Sequence, residues 1–193
     1  MDLCDIGTGS TPLKTQNEYY QNGTIPWITS SATSLEFVEN AETYITQKAV
    51  EECRLRLYPP GTLIVALYGQ GKTRGQVAEI QIEATINQAC AALVFIDSLE
   101  LIKGYVKLVL RKQYVELRSL AAGGAQPNLN IAKIKNALIP LPSLEEQKRI
   151  VEKVDALMNL CNQLEEKIGD SQKNAETLMD AFLIKLWADL NEI

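Results

Sequence analysis

The chain has 193 residues, a net charge of −5 and 46% apolar residues. That is room for one ordinary domain plus an appendage, and too apolar for disorder. It contains no histidine, which excludes Ser-His triads, histidine acid–base catalysis and histidine metal ligands.

Cys4, Cys53, Cys90 and Cys161 form no C-x-x-C pair. Their spacing argues against a disulfide framework or a zinc site, and for a reducing cytoplasm with four small buried thiols. No apolar run reaches the ~18 residues of a membrane span, and the first residues lack the basic and apolar regions of a signal peptide.

The acidic total is unevenly spread. Residues 143–193 hold 11 acids and 6 bases, whereas residues 1–142 hold 13 of each. Arg54, Arg56, Lys72 and Arg74 form one basic stretch. Lys103, Lys107, Arg111, Lys112, Arg118, Lys133 and Lys135, with Glu116 as the one acid among them, form another. Phosphate contact requires a local basic surface, not a basic whole.

In chain order, Gly7-Thr8-Gly9-Ser10-Thr11-Pro12 reads as turn material. Ile25-Pro26-Trp27-Ile28 is a short strand, followed by a small polar run over residues 29–34. Residues 49–57 predict a short helix stopped by Pro59-Pro60-Gly61. The β-branched residues of 62–67 predict a buried strand. A glycine loop follows, Gly69-Gln70-Gly71-Lys72-Thr73-Arg74-Gly75. Ala78, Ile80, Ile82, Ala84 and Ile86 then alternate with polar residues, the period of a strand with one wet face. Residues 91–96 are another apolar strand. After Ser98 as N-cap, Leu101, Ile102, Tyr105, Val106, Val109, Leu110, Tyr114 and Leu117 follow helical spacing as far as Gly123-Gly124. Residues 137–142 read as an extended strand whose prolines suit a sheet edge. Residues 1–142 are thus a mixed α/β domain.

A different object begins at Ser143. Ser143-Leu144-Glu145-Glu146 is a capping box. Ile150, Val154, Leu157, Cys161, Leu164 and Ile168 then step 4-3-4-3-4, the a/d seam of a coiled coil. Apolar positions resume at Leu178, Phe182 and Leu186, one residue out of frame where the seam would want Lys185. A stutter or a break at Gly169 would produce that shift. The whole chain is therefore of the α+β class: a mixed α/β domain followed by one long coiled-coil helix over 143–193.

The most conspicuous motif is a decoy. Ala66-x4-Gly71-Lys72-Thr73 fits a relaxed phosphate-loop pattern, and Leu93-Val94-Phe95-Ile96-Asp97 imitates its companion strand. A phosphate loop needs a helix starting at Lys-Thr, yet here a period-two strand follows. Nucleotide hydrolysis is rejected, and no methyl-donor glycine pattern appears. The same loop suits DNA: Gly71 allows close approach, and Lys72, Thr73 and Arg74 offer two cations and a hydroxyl at a hairpin tip. Gly123-Gly124-Ala125-Gln126-Pro127-Asn128-Leu129-Asn130 offers amides, which pair with adenine or, equally, cap a following short helix.

Several blocks together resemble the target recognition domain of Type I restriction-modification specificity subunits. They are Asp5-Ile6-Gly7-Thr8-Gly9-Ser10-Thr11-Pro12, Ile25-Pro26-Trp27-Ile28, Tyr68-Gly69-Gln70-Gly71-Lys72-Thr73-Arg74-Gly75, residues 84–92, residues 123–130, and Ile139-Pro140-Leu141-Pro142-Ser143-Leu144-Glu145-Glu146-Gln147-Lys148-Arg149-Ile150. The resemblance implies a non-catalytic subunit that reads a split sequence of double-stranded DNA. It would dock methyltransferase subunits, with restriction subunits joining to cut. Methyl donor and ATP would belong to those partners, leaving this chain no cofactor or metal of its own.

On this reading residues 1–142 are the target recognition domain and 143–193 the spacer helix. Gly71, Lys72, Thr73, Arg74, Thr29, Ser30, Ser31, Gln126 and Asn128 are the expected DNA contacts. Members of the family usually carry two such domains and two helices, so this chain is expected to be a half subunit, natural or excised. Its seam would then pair with a second copy as a homodimer, antiparallel by the same resemblance. A coiled-coil adaptor that touches no DNA is the alternative.

Overall fold

The computed structural model describes residues 3–68, 75–120 and 129–191. Contacts divide the chain into two units, Met1–Gln147 and Lys148–Ile193. Among the described residues of the first unit, eight strands form two sheets. The larger holds β1 (Cys4–Thr8), β3 (Phe37–Val38), β5 (Leu63–Ala66), β6 (Val77–Ile80) and β8 (Cys90–Phe95), in the order β1-β8-β5-β6-β3. The smaller holds β2 (Ile25–Ile28), β4 (Thr43–Ile45) and β7 (Thr85–Ile86), in the order β4-β2-β7.

β5 shows why the layers form. All four of its residues are buried, and successive side chains leave a strand on opposite faces. Leu63 and Val65 pack with Val106 and Leu110 of α2 (Lys103–Leu120) and with Ile134 of α3 (Ile131–Lys135). Ile64 packs on the other face with Ile28, Tyr58, Ile80 and Ile86, between the two sheets. A third cluster, Tyr19, Trp27, Ile45, Ala49, Val50 and Leu55, seats α1 (Gln47–Glu52) on the smaller sheet. Full burial of one such large apolar side chain is worth roughly 1.5–3 kcal/mol.

The structure departs from the sequence expectations in several places. Gly7 and Thr8 belong to β1, not to a turn, and pair with Ala92 and Ala91. The stretch after them is fixed by side chains. The carbonyls of Thr8, Ser10 and Pro12 accept from Tyr58 Oη at 3.0 Å, Trp27 Nε1 at 3.1 Å and Tyr20 Oη at 2.6 Å. A side chain on Gly9 would collide with the Ile86 carbonyl, so this glycine lets the two sheets approach. α1 spans Gln47–Glu52 instead of 49–57. Thr46 Oγ1 caps it, accepting from Ala49 N–H at 3.3 Å, and it ends before Arg54, which takes φ +50°.

The alternating segment 78–86 is not one strand. It splits into β6 in the larger sheet and β7 in the smaller, and both residues of β7 are buried. Residues 97–102 form a 3-10 turn, so α2 begins at Lys103, later than the Ser98 cap implied. Residues 137–142 form no strand and no helix, with Leu138 85% exposed. The four thiols are not all buried. Cys90 is, Cys4 and Cys53 are half-buried, and Cys161 is exposed.

The second feature is α4 (Leu144–Asn191), a single helix of 48 residues, roughly 70 Å at ~1.5 Å per residue. Ser143 Oγ accepts from Glu146 N–H at 3.3 Å, the serine half of the expected capping box. The helix continues through Gly169. No described helix is long and apolar enough to cross a membrane.

Candidate nucleic-acid interface

β5 and β6 form an antiparallel hairpin with Leu63 opposite Glu79, Ile64 opposite Ala78 and Val65 opposite Val77. Ala66 N–H to Gln76 O at 3.1 Å and Gly75 N–H to Ala66 O at 2.7 Å extend it toward its tip. Gly71, Lys72, Thr73 and Arg74 lie outside the described residues, as do Gln126 and Asn128. Their flanks are described. Gly75 takes φ +74°, and a side chain there would overlap the ring of Tyr114 on α2. Asn130, the last amide of the second loop, caps α3, accepting from Lys133 N–H at 2.8 Å. It serves the fold in the way the capping alternative anticipated.

The polar run after β2 is a 3-10 turn, Ser30–Ser34. Thr29 Oγ1 and Ser31 Oγ lie 2.6 Å apart, and Ser34 Oγ donates to Ser31 O at 2.9 Å. Ser31 and Ser34 are exposed, Thr29 and Ser30 half-buried, and Thr33 buried with its hydroxyl on Ser30 O. Thr29, Ser31 and Ser34 border a concavity of about 150 Å³ shared with Asn40 and Glu42. Hydroxyls so arranged still offer acceptor positions to a groove edge.

The second basic stretch is largely committed within the protein. Lys103, Lys107 and Arg111 recur every fourth residue on one face of α2. Lys103 Nζ lies 2.9 Å from Glu79 Oε1. Lys107 Nζ lies 3.3 Å from Glu36 Oε1 and 4.2 Å from the centre of the Phe37 ring. Arg111 Nη1 lies 3.2 Å from Glu36 Oε1, while its Nε and Nη2 donate to Val77 O at 3.4 and 3.1 Å. Burial pushes the Lys107 ammonium below its ordinary pKa, with Arg111 adding to the effect. Partial burial works against the Glu36 carboxylate, but Lys107 and Arg111 outweigh it and hold the carboxyl below its usual range. In the first stretch Arg56 is also engaged, 2.5 Å from Asp5 and over the Tyr58 ring.

The importance of Glu36, Glu79, Arg111 and Tyr114 was missed in the sequence. The one available signal was the i, i+4, i+8 spacing of the three cations on a helix, facing acids on a strand expected to have a wet side.

The antiparallel pairing of β5 with β8 and the strand β6 after the glycine loop also remove the phosphate-loop geometry, which needs parallel strands and a helix at that point. On α4, Ile150 and Val154 are half-buried, and Leu157, Cys161, Leu164 and Ile168 are exposed. The seam is an apolar stripe open along most of its length.

The family model described as the Type I restriction modification DNA specificity domain matches residues 1–171. The chain is 29% identical over 161 residues to the Type I restriction enzyme EcoR124I/EcoR124II specificity subunit of Escherichia coli, covering 82% of this chain and 39% of that protein. It is 31% identical over 154 residues to the Type I restriction enzyme MjaIX specificity subunit of Methanocaldococcus jannaschii, covering 77% and 34%. It thus spans well under half the length of these relatives. Among solved structures, the HsdS subunit from Thermoanaerobacter tengcongensis superposes with a TM-score of 0.61 at 23% identity, over 85% of this chain and 37% of that one. A chain from a study of complex assembly and conformational transition in the type I R-M system superposes with a TM-score of 0.66 at 22% identity, over 91% and 41%. At such identities the superpositions establish the α+β fold.

Proposed function

The chain belongs to the Type I restriction modification DNA specificity family, and from that premise we propose that it is a non-catalytic subunit reading one half of a split duplex target. Residues 1–142 act as the target recognition domain. Gly71, Lys72, Thr73 and Arg74 at the β5–β6 tip, Thr29, Ser30 and Ser31 beside the 3-10 turn, and Gln126 and Asn128 after α2 make the DNA contacts. Backbone phosphates are met by Lys72 and Arg74, and base edges by the hydroxyls and amides.

One observation carries this reading beyond family membership: the flanks of all three segments meet α2. Val77, behind the hairpin tip, is held by Arg111. Glu36, two residues after the 3-10 turn, is held by Lys107 and Arg111. α2 itself ends at Leu120, just before residues 121–128.

Residues 143–193 act as the spacer helix. The seam pairs with a second copy, and the paired helices dock methyltransferase subunits, which restriction subunits join in the cytoplasm. Methyl donor and ATP enter with those partners. The test is to express the chain with its methyltransferase partner and sequence the methylated bases of the host genome. A gapped palindromic motif is expected. Methylation that does not depend on this chain, together with no salt-dependent binding of the purified chain to duplex DNA, would favour the adaptor alternative.

A further inference from the structure

Most acids of residues 3–52 have a partner. Asp5 meets Arg56, Glu18 meets Lys48, and Glu36 meets Lys107 and Arg111. Glu51 accepts from Gln47 Nε2 at 2.9 Å, and Glu52 from Tyr19 Oη at 2.7 Å. Glu42 and nearby Asn40 are exposed, and neither makes a hydrogen bond or ion pair among the described residues. Both border the concavity beside the Ser30–Ser34 turn. The backbone puts them there. β2 and β4 pair antiparallel from Ile25 opposite Ile45 to Trp27 opposite Thr43, and the pairing stops at that point. One chain continues through Thr29 into the 3-10 turn, and the other arrives through Asn40, Ala41 and Glu42. The concavity lies between them, lined also by the buried Trp27 and Ile28. The far end of the second segment is tied to the larger sheet, where Gln81 N–H donates to Val38 O at 2.9 Å.

The polar lining is made of hydroxyls, one amide and one carboxylate, with no lysine or arginine among the described residues. Such a set repels phosphate and attracts a hydrogen-bond donor. In the major groove the donors are the amino groups of cytosine N4 and adenine N6; a carboxylate suits the first and an amide the second. We propose that Glu42 and Asn40 are specificity determinants: together with Thr29 and Ser31 across the concavity, they select a base that presents an amino group at one position of the half-site. The inference rests on the DNA-reading function proposed above, in which Thr29 and Ser31 already meet base edges. A carboxylate on a DNA surface is repelled by phosphates, so what Glu42 contributes is discrimination and not affinity. Guanine O6 and thymine O4 are acceptors, and a base offering one of them in place of the amino group faces Glu42 with like polarity.

The whole chain, with the methyltransferase subunit proposed as its partner, is incubated with random-sequence duplexes, and the bound fraction is sequenced. The wild type is expected to enrich one motif. In Glu42→Ala the preference at one position should fall on the order of tenfold, the size of one lost base contact. The remaining positions and the thermal midpoint should stay close to wild type. Asn40→Ala should relax the same position or an adjacent one. The selected duplex is then remade without the amino group at that base, using purine in place of adenine or pyrimidinone in place of cytosine. Wild type should bind the remade duplex on the order of tenfold more weakly, whereas Glu42→Ala should bind both duplexes equally. The base at which this holds identifies which amino group is read.

A motif unchanged in Glu42→Ala, beside a selective wild type, overturns the role of the concavity and leaves the DNA-reading function standing. An equal loss in wild type and Glu42→Ala on deleting the amino group overturns it too. Relaxation of every position with a lowered thermal midpoint would make Glu42 a structural residue, with the same consequence. A wild type that enriches no motif overturns both this inference and the DNA-reading function.

Discussion

The ring of Tyr114 fills the space beside Gly75 that any side chain at that position would need, and Gly75 itself sits at φ +74°. Both conditions make glycine obligatory where the hairpin returns from its tip. Gly75→Ala should lose about 2–4 kcal/mol, combining left-handed strain with overpacking against the ring. Trimming the ring in a Gly75→Ala, Tyr114→Ala pair should be less harmful than the sum of the two single changes, because the collision is gone. Urea unfolding of the four proteins measures the coupling. Strict additivity would show that the ring and the glycine do not constrain each other.

The Glu36 carboxylate leads to a prediction about pH. Its folded pKa is held below the ordinary value by Lys107 and Arg111 despite partial burial. A carboxyl whose pKa is lower folded than unfolded adds stability that is fully present above the unfolded value. That stability is lost as pH falls from the usual carboxylate range through the lowered folded value. The domain should therefore weaken on acidification, and Glu36→Gln should flatten that acid limb relative to wild type. Because Glu36 is more than half exposed, solvent screens the effect, which should be modest. Thermal melts across acid pH measure it, and parallel curves for the two proteins would remove Glu36 from the account.

The parts of the fold that were legible in the sequence are those set by local pattern. The buried run of β5, the period of α2 and the cap at Ser143 are each written within a few neighbouring residues. What could not be read depends on partners distant in the chain. Lys107 and Arg111 look like surface cations until Glu36 and Glu79 are brought to them across 71 and 28 residues or more of sequence. The alternation over 78–86 was real, but two different sheets share it, and periodicity does not reveal which sheet a strand joins. Thr43–Ile45 and Phe37–Val38 are too short to carry a period at all. The β5–β6 hairpin was legible because glycines and flanking strands mark it; Lys72 and Arg74, between those strands in sequence, lie outside the described residues.

Lys72 and Arg74 make a direct test of the interface. With Arg56 engaged by Asp5 and the α2 cations engaged by Glu36 and Glu79, these two are the strongest phosphate contacts the reading offers. Replacing either by alanine should weaken duplex binding and lower the salt slope by about one unit per lost contact. Stability is expected to stay unchanged, as a pure phosphate contact requires. Fluorescence titrations across a salt series give both numbers. Unchanged affinity and slope in the Lys72→Ala, Arg74→Ala double variant would remove this tip from the DNA surface.

The open stripe of α4 makes the last prediction. Leu157, Leu164 and Ile168 are each about half exposed, and they lie at 4-3 spacing with Cys161. That repeat is the signature of a helix packed against another helix. Burying each large side chain is worth roughly 1.5–3 kcal/mol, so the stripe strongly favours association. The proposed occupant is a second copy, in a two-fold pair whose contacts are the same on both sides. Leu157→Glu would bury a charge in that seam, and should give a monomer by sedimentation while the domain unfolds at the wild-type midpoint. Cys161 reports the same event chemically. It is exposed on one helix but covered in a pair, so a thiol-alkylating reagent should label it faster in Leu157→Glu than in wild type. Cys90 should stay unlabelled in both, because burial pushes its thiol up to about 12. Symmetry then dictates the DNA target. Two identical domains facing opposite strands read a gapped palindrome, with the gap set by the helices. A wild-type monomer at micromolar concentration, with Cys161 labelled as fast as in the variant, would defeat self-pairing. A methylated motif with two unlike halves would instead identify the occupant of the stripe as a second, non-identical recognition half.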